Sequence, residues 1–288
     1  MSANFTNITT KVSFSVAAAT WTAVWNYSTI SRLTFFVLQI VLNLSMLLFL
    51  IHHEALRIGF NVYLIGLLSA NIFYAFGQYP VEILQSLYDH WWMSKAACSY
   101  YIYQSWVFVS VSIHMHVLIT INRLWALTFP LSYRNQHNTR VACLFSVSIV
   151  VYVHIVCFPL FPIDELYYRP PTELGCFLDT AQQKLYSTIV NMVAFNLPVA
   201  AVVFSYPYIL YKYLRRRRTK NAVRPSSMWI NNQTDRNQRK TIAASQKNDN
   251  SVSPFFTLTL LTCSVMICWA PSQVYWTLDS FMDVSGLS

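Results

Sequence analysis

From Leu33 to Ile51 the chain is one apolar run, broken only by Thr34, Gln39, Asn43 and Ser45. Runs of similar character follow at Phe60 to Leu84, Cys98 to Leu127, Val141 to Leu160, Tyr186 to Leu214 and Phe255 to Leu278. A hydrocarbon core of roughly 30 Å is crossed by about 20 helical residues, so each run predicts one membrane span. Within lipid every backbone amide needs an internal partner, which leaves helices or a closed barrel. A barrel would read as short alternating segments parted by turn residues, and this chain has no such pattern and only five glycines. The pattern predicts an all-α fold, a polytopic membrane helical bundle with six spans. Residues 1–32 form an outer tail, 33–278 the bundle, 215–253 a basic loop inside it, and 279–288 a short outer segment.

Composition sharpens this picture. With 55% hydrophobic and only 11% charged residues, the chain is too apolar for an ordinary soluble domain. A net charge of +9 raises the question of nucleic acid, but eleven of the twenty Lys and Arg fall between Lys212 and Lys247, beside a span. That is the positive-inside pattern, and no nucleic-acid partner is expected. The loops after the first, third and fifth spans, with Arg123 and Lys212 at the adjoining span ends, carry fifteen Lys and Arg and the opposite side five, which predicts an extracellular amino terminus. Sequons at Asn4, Asn7 and Asn26 agree, because glycans are added on the lumenal face. The sequon at Asn232 lies in the basic loop and is expected to stay unmodified. The apolar stretch Val12 to Ala19 is interrupted by serines and preceded by two sequons, so an uncleaved tail is preferred over a signal peptide.

No glycine-rich phosphate loop, no His-Glu-x-x-His and no nucleophile with an evident base occur, so no catalytic residue, metal or cofactor is expected. A transporter or channel should carry interrupted half-repeats or several intramembrane charges, and only Glu82, at the outer edge of the second span, comes close.

Arg123 ends the third run, and Ala126, Pro130, Leu131, Tyr133 and Arg134 follow it at fixed intervals. Trp91 and Cys98 precede it; Asn43 lies in the first span; Asn61, Leu67, Ala70, Asn71 and Pro80 lie in the second. Phe195, Pro198 and Tyr206 mark the fifth, and Cys268, Trp269 and Pro271 the sixth. Taken in order, these residues resemble the rhodopsin-like G-protein-coupled receptors, a seven-span family. The resemblance implies a switch set of Asn43, Asn71, Ser112, Asn122, Arg123, Pro198, Tyr206, Trp269 and Pro271. It also implies a bridge from Cys98 to Cys176, both on the oxidising outer side, while Cys143, Cys157, Cys263 and Cys268 read as buried thiols.

The departures bear on mechanism. Asn122 stands where the family has an aspartate beside the arginine, which predicts raised basal activity. Asn71 replaces the family's second-span aspartate near Ser112, which predicts loss of sodium binding. Ser105, Val109, Ser112, His116, Ile119 and Arg123 recur at intervals of four and three and share a helix face. His116 is expected to bond a polar neighbour such as Asn71, and His114 to point elsewhere. Ser105 stands where the family's amine receptors have their aspartate, so an amine ligand is disfavoured. Gln104, Ser105, Trp106, Asn191, Gln273 and Trp276 are the ligand-binding candidates, with Tyr101 beside them. Asp164, Glu165, Glu173 and Asp179 in the second outer loop favour a cationic peptide.

The resemblance implies a plasma-membrane, multi-pass receptor that takes an extracellular ligand, a peptide by preference, and passes the signal to a heterotrimeric G protein. The basic run Arg215 to Arg218 is expected to meet the anionic leaflet. The chain ends at Ser288 without an Asn-Pro-x-x-Tyr motif, so a truncated six-span form that does not signal is the alternative expectation.

Overall fold

A computed structural model describes residues 25–54, 59–88, 91, 93–169, 176, 178 and 183–222. Its elements are α1 (Tyr27–His52), α2 (Gly59–Leu87), α3 (Lys95–Thr128), the short α4 (Pro130–Gln136), α5 (Thr139–Cys157), α6 (Leu160–Ile163), a π turn (Asp164–Tyr168), α7 (Lys184–Asn191), a second π turn (Met192–Asn196) and α8 (Leu197–Ala222). Five continuous helical stretches among the described residues are long and apolar enough to cross a membrane: Tyr27–His52, Gly59–Leu87, Lys95–Thr128, Thr139–Tyr168 and Lys184–Arg216. They correspond to the first five predicted spans. The sixth span, most of the basic loop and the segment 279–288 lie outside the described residues.

Local chemistry sets where the helices begin. Asn26 Oδ1 accepts from the Thr29 amide at 2.8 Å, Ser94 caps α3 through the Ala97 amide at 3.2 Å, and Asn138 caps α5 through the Val141 amide at 3.0 Å. Each satisfies an amide that has no partner within its own helix. The Asn26 cap starts α1 at Tyr27, so residues 27–32, expected in the tail, belong to the first helix. Pro130 opens α4 at a position that needs no amide donor, after a break at Phe129.

α3 is the axis of the bundle. It packs against α2, α5 and α8, and α1 packs on α2. In its most apolar stretch 61% of residues are buried, against 6% for α1. Apolar side chains such as Phe35, Leu38 and Leu42 on α1 are exposed on the protein surface, where lipid is their natural solvent. Cys157 is buried, as a membrane thiol is expected to be, whereas Cys143 is exposed on the outer surface of α5. That corrects the expectation of a buried thiol there: Cys143 falls on the face of α5 turned away from its neighbours.

Candidate functional site

Polar residues in a span must find partners, and three helices meet at the point where they do. Asn71 Nδ2 donates to Asn43 Oδ1 at 3.2 Å, Ser112 Oγ donates to Asn71 Oδ1 at 2.9 Å, and Gln39 Nε2 donates to the Asn71 carbonyl at 3.1 Å. Asn43 Nδ2 turns back to the Gln39 carbonyl at 2.7 Å. Both ends of the Asn71 amide are thereby engaged, which ties α1, α2 and α3 together halfway along their lengths. His116 is not part of this knot. Its ring is buried and its Nδ1 has no hydrogen-bond partner among the described residues. The expected bond to Asn71 is absent because Asn43 and Ser112 already occupy that amide. His114 faces another way, donating from Nδ1 to the Ser110 carbonyl at 2.8 Å and lying edge-on to Tyr152 on α5.

At the inner end of α3, Asn122 and Arg123 are both buried. The Arg123 guanidinium lies over the Phe60 ring of α2, 5.6 Å from its centre. Asn122 Nδ2 donates to the Tyr133 hydroxyl at 3.3 Å, so the uncharged residue in the aspartate's place still reaches the second inner loop. Tyr133 stacks on His137 at 4.6 Å, and His137 meets the Tyr63 hydroxyl at 3.3 Å. This packing pushes the His137 imidazole below its ordinary pKa, because burial penalises the charged form. Tyr206 on α8 is buried, with no hydrogen-bond partner for its hydroxyl among the described residues. Pro198 follows the π turn Met192–Asn196 and has no amide to offer the Ala194 carbonyl one turn back, which accepts from Ser110 Oγ at 3.1 Å instead.

The outer end is anchored by the Cys98–Cys176 disulfide, with Cα atoms 5.6 Å apart. Of the ligand candidates, Trp106 sits edge-on to Phe195 at 5.6 Å and, like Ser105 and Asn191, is only partly buried. Gln104 departs from the expected pocket. It is 2% exposed, donates to the Phe73 carbonyl of α2 and rests against Gly77. Its carboxamide is thus turned into the contact between α2 and α3. Two acids of the second outer loop are also committed. Asp164 is fully buried and paired with Arg169 at 2.8 Å, while Glu165 Oε2 accepts from Ser99 Oγ at 2.7 Å, and Arg169 bonds the same hydroxyl. Arg169 also donates its amide to the Asp164 carbonyl at 2.7 Å, which closes the π turn twice.

Trp269, Pro271, Gln273, Trp276, Asn4 and Asn7 lie outside the described residues, as do Glu173 and Asp179. Asn26 is described, as the cap of α1. Sequence reasoning missed Gly77, Arg169 and His137. Each had a faint signal: a glycine inside an apolar run, an arginine five residues after an aspartate, and a histidine four residues after a tyrosine. Among the described residues no group of His, Cys, Asp and Glu could hold a metal ion.

A multi-pass helical membrane protein whose third helix is braced by a disulfide at one end and carries a buried arginine at the other has the build of a transmembrane receptor bundle. Residues 42–287 match the model described as 7 transmembrane receptor (rhodopsin family), and the chain belongs to that family. The chain is similar to the melatonin receptor type 1B of Homo sapiens, 26% identical over 81% of this chain and 59% of that protein. It is also similar to the melatonin receptor type 1B of Rattus norvegicus, 25% identical over 80% of this chain and 57% of the relative. An alpha-2 adrenergic receptor of Labrus ossifagus is 24% identical over 72% of this chain and 49% of its own length. The chain thus spans about half to three fifths of the length of these three relatives.

Proposed function

We propose that the protein is a plasma-membrane receptor, with its amino terminus extracellular, that binds an extracellular ligand and passes the signal to a heterotrimeric G protein. One observation carries this reading: a single buried helix, α3, joins the disulfide-braced outer end at Cys98 to the inner end at Asn122 and Arg123. A close-packed element of this kind shifts as a unit, so a ligand that favours one packing of the outer end biases the inner end as well. Asn122, Arg123 and Tyr206 are the proposed G-protein station, and the Asn43, Asn71 and Ser112 knot is the joint between the two ends. Pro198, with Trp269 and Pro271 in the sixth span, makes up the moving part. Ser105, Trp106 and Asn191 are the proposed ligand contacts from the described residues.

The peptide reading rested on four loop acids. With Asp164 neutralised by Arg169 and Glu165 bonded to Ser99, it now rests on Glu173 and Asp179. The relatives' names speak for small ligands, melatonin and adrenergic amines, and the partly buried Trp106 packed edge-on against the buried Phe195 suits a ligand of that size. The test is nucleotide exchange on purified G-protein heterotrimers, with the chain in lipid nanodiscs and melatonin and noradrenaline as first probes. Exchange above that of empty nanodiscs, lost on Arg123→Ala, supports the reading. A folded, surface-expressed chain that catalyses exchange on no heterotrimer, with or without probe, sinks it.

A further inference from the structure

Glu82 is the one Asp or Glu within the six predicted spans. An intramembrane carboxylate is costly to keep, and such residues pair with a cation or serve a function. Among the described residues the Glu82 carboxylate has no ion-pair partner; the ion pair found there joins Asp164 to Arg169. Arg32 of α1 comes close, but its guanidinium donates to the main-chain carbonyl of Glu82 at 3.2 Å and not to the carboxylate. The carboxylate receives one hydrogen bond, from Gln78 Nε2 to Oε1 at 2.7 Å.

The surroundings are aromatic. Tyr74 and Tyr79 lie edge to face at 6.2 Å on the same helix, and Tyr101 of α3 leans on Trp91 at 6.1 Å. The hydroxyls of all three tyrosines are within electrostatic reach of Glu82. Two polar atoms here are left unused. Gln78, only 5% exposed, has no partner for Oε1, and the buried Trp91 has none for its indole N–H, among the described residues. A carboxylate near three tyrosines, with an unused buried acceptor on Gln78 one turn away and an unused buried donor on Trp91 against Tyr101, is among the described residues a half-finished set of interactions.

We propose that Glu82 is the counter-ion for a cationic group of the extracellular ligand, an ammonium or guanidinium that enters between α1, α2 and α3 at the outer end of the bundle. This rests on the receptor reading above and adds the chemistry of its ligand. The carboxylate supplies the charge, the tyrosine faces supply the attraction of their π electrons for a cation, and Gln78 Oε1 accepts an N–H of the ligand. The acid that Ser105 lacks on α3 is thereby provided from α2. An amine, set aside because of Ser105, returns as a ligand class alongside the cationic end of a peptide.

The test uses the full chain in nanodiscs and its thermal unfolding midpoint. The probes are tryptamine as a small ammonium, the amide of the dipeptide tyrosyl-arginine as a peptide end, and N-acetyltryptamine as a neutral control. The expected result is that one cation raises the midpoint, with its half-maximal concentration increased about tenfold or more by Glu82→Gln and nearly restored by Glu82→Asp. The control should be indifferent to either substitution. Which cation acts decides between a small amine and a peptide. No shift from either cation up to about 10 mM, or an equal shift in Glu82→Gln, overturns the proposal. Nucleotide exchange by the unmodified chain, run on the same preparation, separates the two failures. A preparation that drives exchange yet ignores both cations sinks this site alone, and one that does neither sinks the receptor reading with it.

Discussion

A β-carbon at Gly77 would overlap the Gln104 carboxamide, which is enclosed and already bonded to the Phe73 carbonyl. Gly77→Ala is expected to destabilise the chain by about 1–3 kcal/mol, the usual effect of overpacking a filled site. The thermal midpoint should recover when Gln104→Ala is added, because the obstruction is then gone; no recovery would mean that the backbone rather than Gln104 meets the new carbon. Asn71 makes a second prediction at this scale. Its amide is satisfied by Asn43 and Ser112 and carries no formal charge, so sodium should leave the affinity of any ligand unchanged. A clear sodium dependence in a binding assay would count against that, and an Asn71→Asp variant should acquire one. Gln104 also marks where sequence reasoning stops at this scale. A helix period says which residues share a face, but the neighbour that the face meets depends on how two helices cross.

Whole elements depend on a few polar fastenings. The π turn at the end of the fourth span is held by Arg169, which grips the buried Asp164 through both side chain and backbone. Arg169→Met should cost about 3–5 kcal/mol by leaving a buried carboxylate without its cation. Adding Asp164→Leu should return most of that in a thermal-melt assay, since no charge then remains to be compensated. The inner loop α4 is fastened by His137 against Tyr133 and Tyr63. Because its folded pKa lies below the ordinary 6.5, the unfolded chain binds the proton more readily. Its contribution is therefore complete above about pH 6.5 and is lost as pH falls below that value. The midpoint should drop between about pH 7.5 and about pH 5.5, and by less in His137→Phe, which keeps the ring without the titration.

At the scale of the molecule, the balance between two packings of the bundle should be read at Asn122. This residue holds Tyr133 by a neutral hydrogen bond, where a carboxylate would hold the neighbouring Arg123 electrostatically as well. Asn122→Asp is expected to lower ligand-independent nucleotide exchange about tenfold, the effect of ~1.4 kcal/mol on a two-state equilibrium. Unchanged basal exchange would show that the missing charge does not set the resting state. Much of the architecture was legible from the chain alone. Lipid permits few backbone solutions, so apolar runs of sufficient length had to be helices, and five of them are helices here. The Asn43, Asn71 and Arg123 pattern was equally visible, since polar residues are rare enough in spans for each one to stand out. What tertiary structure alone decided was pairing. It put Gln104 against α2, gave Asp164 to Arg169, left His116 outside the Asn71 knot and, among the described residues, set Arg32 on the Glu82 main-chain carbonyl rather than on its carboxylate. Spans follow from hydrophobicity, a property of each segment by itself. Partners follow from the rotation and crossing of helices that are distant in sequence, and those are set only when all the side chains pack at once.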